Sequence, residues 1–192
     1  MTGWTALKVA DEFVFAMKEL GFTEPAPVQE KAIPRQLAGD NLVVTAPTGT
    51  GKTLAFLAPL FSRLDSRRQE VQAVILAPTY ELCLQITGVL EQLAAAGADS
   101  LKAQQLIGGA NINRQIEKLK KKPQIIVGSP GRIIELARLK KLKLGEVRVL
   151  ILDEFDRLLD DQNLAILADL MKLLPTVDKL QTLCFSATAS PK

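Results

Sequence analysis

The sequence predicts an α/β fold, a mainly parallel sheet with helices on both faces. Short apolar runs rich in β-branched residues and leucine alternate with longer amphipathic stretches along the 192-residue chain. Most of these runs are apolar throughout, which is typical of strands covered on both faces of a parallel sheet. Strands alternating with helices favour right-handed crossovers. No repeat or low-complexity linker divides the chain, so we expect a single domain over residues 1–192.

The apolar runs predict six strands and the stretches between them predict seven helices. The strands are expected at Asn41–Thr45, Ala73–Ala77, Ala103–Ile107, Gln124–Gly128, Val147–Leu152 and Leu180–Phe185. The helices are expected near Ala10–Leu20, Val28–Leu37, Lys52–Leu64, Glu81–Ala96, Asn111–Lys120, Arg132–Leu139 and Asn163–Leu174. Ligands of open parallel sheets bind outside the carboxyl ends of the strands. The residues directly after each strand are therefore the first candidates for function.

The composition excludes several kinds of catalytic site. The chain has no histidine, which rules out Ser-His-Asp and Cys-His catalysis and any metal site with a histidine ligand. The two cysteines, Cys83 and Cys184, are too few and too far apart for a disulfide framework or a four-cysteine zinc site. We expect two buried thiols in a reducing compartment. The net charge of +3 permits a polyanionic partner without demanding one.

The chain shows no targeting or membrane signal. Residues 1–10 lack the basic segment and apolar core of a secretory signal. No apolar run approaches the ~20 residues that a transmembrane helix needs. A cytoplasmic protein without a membrane partner is the expectation.

The first strand leads into a phosphate-binding loop. Residues 46–53 read APTGTGKT and a helix follows, which matches the Walker A pattern with alanine in place of its first glycine. Such a loop turns backbone N–H groups toward a phosphate at a helix N-terminus. Lys52 would reach the β- and γ-phosphates of a nucleotide, and the Thr53 hydroxyl would bind Mg²⁺. The residues expected to bind the nucleotide here are Ala46, Thr48, Gly49, Thr50, Gly51, Lys52 and Thr53. The alternative is a turn that simply starts a helix.

Two acids follow the buried run Val147–Leu152. Asp153 is placed to hold Mg²⁺, through water in part, because Mg²⁺ keeps much of its hydration shell. Glu154 would orient the attacking water, so Lys52 and Glu154 are the expected catalytic residues. The alternative is a pair of acids that stabilise a helix N-terminus.

The ordered motifs resemble one known family. Residues 153–156, Asp-Glu-Phe-Asp, resemble the Asp-Glu-Ala-Asp box of the DEAD-box RNA helicases. The other motifs resemble those of that family and come in the same order. Gly21-Phe22, Pro25 and Gln29 resemble its Q motif, residues 78–82 resemble its motif Ia, and Gly108-Gly109 resembles its paired glycine. Residues 129–132 resemble its motif Ib, and residues 186–188 resemble its motif III. This resemblance implies a RecA-like P-loop NTPase domain, with the Q motif at residues 2–30, that uses ATP and Mg²⁺. It implies an RNA helicase that couples ATP binding and hydrolysis to RNA clamping and unwinding.

The resemblance also implies a role for each motif. Gln29 would read adenine, and Trp4 or Phe22 would cover the base, although both aromatics also suit ordinary core packing. Asp156, Ser186 and Thr188 would couple ATP to RNA. The residues implied to contact the RNA backbone are Pro78, Thr79, Gly108, Gly109, Pro130, Gly131 and Arg132.

Three departures from the family pattern bear on activity. Phe155 stands where the family has alanine, so its neighbours must make room for a ring, and Tyr80 replaces an arginine that could meet a phosphate. The sequence given ends shortly after motif III, so the family's second RecA-like domain is not part of it. We therefore expect this chain alone to bind adenine nucleotides weakly and to unwind nothing. The alternatives are a different P-loop ATPase and a non-enzymatic RNA- or protein-interaction module.

Two groups of basic residues lie outside these motifs. One comprises Lys118, Lys120, Lys121 and Lys122, and the other comprises Arg138, Lys140, Lys141 and Lys143. Such groups are most often solvated helix faces and loops. Contact with a nucleic acid is the alternative.

Overall fold

The structure is a computed structural model that describes residues 3–188. Its six strands form one sheet in the order β1-β6-β5-β2-β4-β3, and every neighbouring pair is parallel. The strands are β1 (Leu42–Thr45), β2 (Ala73–Leu76), β3 (Ala103–Leu106), β4 (Ile125–Gly128), β5 (Val149–Asp153) and β6 (Gln181–Ser186). The predicted α/β fold with a parallel sheet is confirmed.

Helices connect the strands and cover both faces of the sheet. A 3₁₀ helix spans Gly3–Leu7. The α-helices are α1 (Asp11–Glu19), α2 (Pro27–Ala38), α3 (Lys52–Arg63), α4 (Tyr80–Ala95), α5 (Ile112–Leu119), α6 (Pro130–Arg138), α7 (Phe155–Leu158) and α8 (Asp161–Met171). Helices α1 to α4 pack on one face, and α5 to α8 pack on the other.

Successive strand residues enter two separate hydrophobic cores. In β2, Ile75 belongs to the core under α1 to α4, whereas Val74 belongs to the core under α5 to α8. Every residue of β2, β4 and β5 is buried. This explains why these strands are apolar up to Asp153, the last residue of β5, since a parallel strand between two helical layers has no solvent face.

The two edge strands differ from the central ones. In β1, Val43 is 68% exposed, and in β3, Gln104 and Gln105 are half-buried. An edge strand has a partner on one side only, so polar residues and partial exposure are tolerated there. The nucleotide loop follows β1 and therefore lies next to one of the two edge strands of the sheet.

The sequence placed the six strands and seven of the helices, with bounds that differ by a few residues at most. It missed the 3₁₀ helix and α7, because neither is long enough to show a period of 3.6 residues. Cys83 is buried as expected, and burial raises the pKa of its thiol to about 11. Cys184 is only partly buried. Residue 2 of the expected Q motif and residues 189–192 lie outside the described part of the chain.

Because all six strands run in the same direction, their carboxyl ends lie along one side of the sheet. This side is called the border of the sheet below. The strand order divides that border into two halves. The loop after β1, the acids at the end of β5 and motif III at the end of β6 lie in one half. The loops after β2, β3 and β4, which carry the motifs expected to bind RNA, lie in the other half.

Candidate nucleotide and RNA site

Two glycines shape the loop between β1 and α3. Gly49 has φ 81° and Gly51 has φ 92°, both in the left-handed region that side chains disfavour. Gly51 is the residue before α3, and the helix begins at Lys52. The loop thus turns tightly onto a helix N-terminus, where free N–H groups and a positive partial charge favour an anion.

Lys52 is folded back onto its own loop. Its Nζ donates to the carbonyl oxygens of Ala46 at 2.6 Å and Pro47 at 3.0 Å. Thr50 Oγ1 also donates to Pro47 O, at 2.7 Å. These contacts hold the ammonium group inside the loop. A phosphate, which carries full negative charge, is a stronger acceptor than these carbonyls.

Gln29 ties the start of α2 to the phosphate loop. Its Oε1 accepts from the N–H of Ala26 at 2.6 Å, and its Nε2 donates to the carbonyl of Gly51 at 3.0 Å. The side chain is only 3% exposed. A Cβ at Gly51 would lie 2.4 Å from Gln29 Nε2, so a side chain there would displace the Gln29 amide in addition to straining φ. One N–H and one lone pair of the Gln29 amide remain beyond these two bonds.

The two aromatic candidates for covering adenine have different surroundings. Trp4 is 4% exposed, its Nε1 donates to Phe22 O at 2.9 Å, and its ring meets Phe13 edge-on at 5.5 Å between centroids. Trp4 is therefore a core residue that anchors the Phe22 backbone. Phe22 itself is 50% exposed. Of the two rings, Phe22 alone offers an open face on which a base could stack.

Asp153 and Glu154 end β5 with a sharp turn of the chain. Asp153 is 7% exposed, and burial raises the pKa of its carboxyl to about 6. Its Oδ1 accepts from the N–H of Glu154 at 3.1 Å. Glu154 has φ 49°, which is rare for a residue with a side chain and is a feature of functional turns. Its Oε2 lies 3.1 Å from Arg157 Nη1 without a well-aligned hydrogen bond.

The acidic residues fit a magnesium ion shared with a nucleotide rather than a cage built by protein alone. Among residues 3–188, no group of three or more acidic or cysteine side chains could hold a metal. Mg²⁺ in nucleotide sites takes one or two protein oxygens, and water and phosphates supply the rest. Asp153 is a buried carboxylate that forms no ion pair with a lysine or arginine within residues 3–188, and such a group suits that arrangement.

Motif III links the phosphate loop to the acidic box. The N–H of Ala46 donates to Ser186 O at 3.0 Å. Thr188 donates from its N–H to Ser186 Oγ at 3.1 Å and from its Oγ1 to Asp156 Oδ2 at 2.8 Å. Partial burial opposes ionisation of Asp156, but hydrogen bonds from Ser186 and Thr188 hold the pKa of its carboxyl below the usual value. The structure thus joins the three residues expected to couple ATP to RNA.

Phe155 is accommodated by the hydrophobic core. Its ring is 6% exposed and lies in the core under α5 to α8, together with Leu158 and Leu167. With the ring buried there, the hydrogen bond from Thr188 Oγ1 to Asp156 Oδ2 is still formed. The extra volume at this position is therefore filled on the core side and leaves the coupling contact in place.

The loop after β2 begins α4. Thr79 caps the helix, because its Oγ1 accepts from the N–H of Leu82 at 3.2 Å. Pro78 and Thr79 are half-buried, whereas Tyr80 is 50% exposed at the first residue of the helix. The capping bond uses the Thr79 hydroxyl as an acceptor, and its O–H stays available as a donor.

Arg132 connects the loops after β3 and β4. Its Nη1 donates to Ala110 O at 3.2 Å, its Nε lies 2.9 Å from Glu135 Oε2, and its side chain is 10% exposed. It therefore positions the loop that carries Gly108 and Gly109, both of which are exposed. Pro130 and Gly131 form the first turn of α6, Pro130 buried and Gly131 exposed.

Gln115 is a residue of this region that the sequence did not indicate. The Gln115 side chain is 6% exposed, and its amide accepts from the N–H of Ile107 at 3.2 Å and donates to Ile107 O at 2.9 Å. It thus satisfies the backbone where β3 turns into the glycine loop. A buried glutamine on an amphipathic helix has no sequence signature that separates it from a solvated one.

Comparison with known proteins agrees with this arrangement. The sequence profile of the DEAD/DEAH box helicase family matches residues 26–192. The chain belongs to this family. It is 44% identical over 173 residues to the DEAD-box ATP-dependent RNA helicase CshC of Bacillus cereus and 44% identical over 186 residues to the probable ATP-dependent RNA helicase YfmL of Bacillus subtilis. These alignments cover 90% and 96% of this chain, but 43% and 48% of those proteins.

Solved DEAD-box structures share the fold. A DEAD box protein from the hyperthermophile Methanococcus jannaschii superposes with a TM-score of 0.89 at 33% identity, over 99% of this chain and 51% of that one. S. cerevisiae Dbp5, bound to RNA and ADP BeF3, gives a TM-score of 0.87 at 29% identity, over 99% of this chain and 47% of that one. The chain thus spans about half the length of the relatives it matches. Within residues 3–188, no helix is long and apolar enough to cross a membrane.

We expect Asp153→Asn to stabilise the metal-free fold at neutral pH. The wild-type carboxyl ionises at pH about 6 when folded and near 3.8 when unfolded, so the folded state loses stability as pH rises between these values. At about 1.4 kcal/mol per pKa unit, the substitution should gain about 3 kcal/mol above pH 6 and little below pH 4. Urea unfolding in EDTA at several pH values measures the gain.

Asp169→Asn is the matched control for this measurement. A hydrogen bond from Lys172 lowers the pKa of the exposed Asp169 carboxyl, so its removal should cost stability at neutral pH, where Asp153→Asn gains it. A gain at Asp153 that does not change with pH would contradict burial of its charge.

Proposed function

We propose that this chain is the ATP-binding, first RecA-like domain of an ATP-dependent RNA helicase, over residues 1–192. The observation that carries the proposal is the convergence of three features at one half of the sheet border. These are a phosphate loop built on Gly49 and Gly51, a buried acid at Asp153, and a contact between Asp156 and motif III. In this reading ATP supplies the phosphoryl group whose transfer to water drives the cycle.

The residues of the loop bind and orient the nucleotide. N–H groups of residues 49–53 donate to the phosphates, and the Lys52 ammonium exchanges its two carbonyl acceptors for phosphate oxygens. Thr53 and Asp153 hold Mg²⁺, and Glu154 accepts a hydrogen bond from the attacking water. Ala46, Thr48 and Thr50 complete the loop. The left-handed turn at Glu154 is the local device that would place its carboxylate beside the reacting phosphate.

Adenine recognition rests on Gln29. Its amide keeps one N–H and one lone pair, which is the pair of groups that adenine requires and guanine does not match. Phe22 stacks on the base in this proposal, while Trp4 acts indirectly through its bond to Phe22 O. The bond from Gln29 to Gly51 gives the base site a direct connection to the phosphate loop.

RNA takes the other half of the border. On this RNA surface, Thr79, Gly108, Gly109 and Gly131 supply backbone N–H groups, and Thr79 also supplies a hydroxyl, to hold phosphate and sugar without reading sequence. Pro78 and Pro130 have no N–H, so their role is to shape the turns that lead into α4 and α6. Arg132 positions this surface through Ala110 and Glu135. Contacts of Asp156 with Ser186 and Thr188 couple the nucleotide half to the RNA half. A second RecA-like domain would be the partner that completes the enzyme, and the expected location is cytoplasmic.

We expect the chain to bind ADP more tightly than GDP and Gln29→Leu to remove the difference. Leucine cannot pair with either adenine group and leaves the Gly51 carbonyl without its donor, so ADP affinity should fall about tenfold or more. Calorimetric titration with each nucleotide and Mg²⁺ measures both. Gln92→Leu, at an exposed glutamine of α4, is the control and should change neither affinity. Equal affinities for ADP and GDP in the unchanged protein would remove the role given to Gln29 and favour a different P-loop ATPase.

Catalysis should appear only when a second domain is supplied. The carboxy-terminal half of YfmL, joined after residue 192, is a suitable donor because that relative is 44% identical in the half shared with this chain. The chimera should release phosphate from ATP in an RNA-stimulated manner and separate a short RNA duplex, whereas the chain alone should do neither. Glu154→Gln should lower the release about 100-fold or more, and Glu91→Gln, an exposed acid of α4, should not.

Two outcomes would count against the proposal. Unwinding by the 192-residue chain alone would show that half the site suffices. Absence of RNA-stimulated release in a folded chimera, with no effect of Glu154→Gln, would favour a non-enzymatic interaction module, in which Phe155 and Tyr80 mark the loss of catalysis.

A further inference from the structure

A groove of about 320 Å³ lies at the border of the sheet opposite the nucleotide site. It is formed by the segments that lead into β2, β4 and β5, whereas the nucleotide and RNA loops follow the strands. Its floor is apolar and includes Val71, Leu119 and Leu142, all buried. Four exposed lysines surround this floor: Lys122, Lys140, Lys141 and Lys143. We call it the four-lysine groove.

The fold brings together two groups of basic residues that are separate in the sequence. Lys122 follows α5, and Lys140, Lys141 and Lys143 follow α6. Both helices end at the same side of the sheet, because α5 leads into β4 and α6 leads into β5, which both pair with β2. Neither group alone would form a site, since each lies on a solvated helix end.

The charge of the four lysines is not neutralised by nearby acids. The groove has two acids, Glu70 and Glu146, and Arg68 forms ion pairs with both. Within residues 3–188, none of the four lysines takes part in an ion pair. Like charges around one groove repel each other, and a bound polyanion removes that repulsion.

The backbone does not account for two of these lysines. Lys122 has φ 55° and Lys140 has φ 56°, the left-handed conformation in which helices commonly end with glycine. Helix dipoles favour cations near helix C-termini, but the effect falls off within the last turn. Those turns already carry Lys118 and Arg138. Lysine at each of these left-handed positions therefore costs more conformational free energy than glycine would, and the helix end does not need its charge.

The residues that line the groove favour the phosphates of a nucleic acid over a folded protein as the bound partner. Among the described residues that line it, none is aromatic and none is arginine, so it offers neither a stacking surface for bases nor a planar fork for one anion. Mobile lysines supply point charges at several positions along an open groove. This suits a chain of phosphates and carries no sequence information.

We propose that the four-lysine groove is a second RNA-binding site, which holds the sugar–phosphate backbone of single-stranded RNA without sequence preference. It goes beyond the proposed function, because it lies at the opposite border of the sheet from the nucleotide and from the motifs of the family. RNA held there stays attached whether or not nucleotide is bound at the other border.

The test variant removes positive charge from the groove and also removes the unfavourable left-handed conformation of two lysines. Lys122→Gly with Lys140→Gly deletes two charges at positions where glycine is the favoured residue, so the fold should be at least as stable. The control is Lys8→Gly with Lys18→Gln, which deletes two exposed charges on the opposite face. Lys8 has φ 57°, so the control includes the same backbone change.

The measurement is fluorescence anisotropy of an oligouridylate of about 16 nucleotides, titrated with the 192-residue chain at several KCl concentrations in EDTA. The slope of log K against log [KCl] should become shallower by about 1.4 in the groove variant, since each lost phosphate contact on single-stranded RNA contributes about 0.7. The melting temperature should stay equal or rise. The control should keep the slope. In a parallel titration without EDTA, ADP with Mg²⁺ should not change the difference between the two variants.

Three results would overturn the proposal. An unchanged slope in the groove variant would show that these lysines are solvated residues at helix ends and do not contact RNA. An equal change in the control would show a response to net charge rather than to a local site. Tighter binding of a labelled polyglutamate than of the oligouridylate, lost in the groove variant alone, would assign the surface to an acidic protein segment. None of these results depends on ATP hydrolysis, so they leave the proposed function to its own test.

Discussion

The loop between β1 and α3 is the constraint on which the site depends. Gly49 and Gly51 take left-handed conformations there, and Gly51 also leaves room for the Gln29 amide, which a Cβ would approach to 2.4 Å. A larger residue at Gly51 would disturb both the loop and the bond that joins it to α2. The phosphate loop and the region expected to read the base are therefore one unit, and Lys52 is held inside it by the carbonyls of Ala46 and Pro47.

A chain of short contacts connects this unit to the rest of the border. Ala46 meets Ser186 through the backbone, and Ser186 meets Thr188, whose hydroxyl donates to Asp156. Three hydrogen bonds in sequence therefore connect the phosphate loop to α7 by way of the end of β6. Parallel strands make this possible, because they bring residues that are 141 positions apart to the same border, as in the pair Thr45 and Ser186.

Much of the fold was predictable because local patterns carried it. The central strands β2, β4 and β5, buried on both faces, are apolar except for the terminal Asp153, and a Gly-rich segment between a strand and a helix has few uses other than phosphate binding. What the sequence could not give depends on distant partners. The role of Trp4 rests on its bond to Phe22 O, that of Arg132 on Ala110, and the meeting of Lys122 with Lys140 on the strand order. None of these follows from spacing along the chain.

The most direct test of the account is a crystal structure of the chain with ADP and Mg²⁺. The account predicts that the β-phosphate lies within the turn at Gly49 and Gly51, that Lys52 Nζ has left the carbonyls of Ala46 and Pro47 for a phosphate oxygen, and that Mg²⁺ lies between Thr53 and Asp153. Nucleotide bound at another place, or a Lys52 that keeps both carbonyl contacts while ADP occupies the loop, would contradict it.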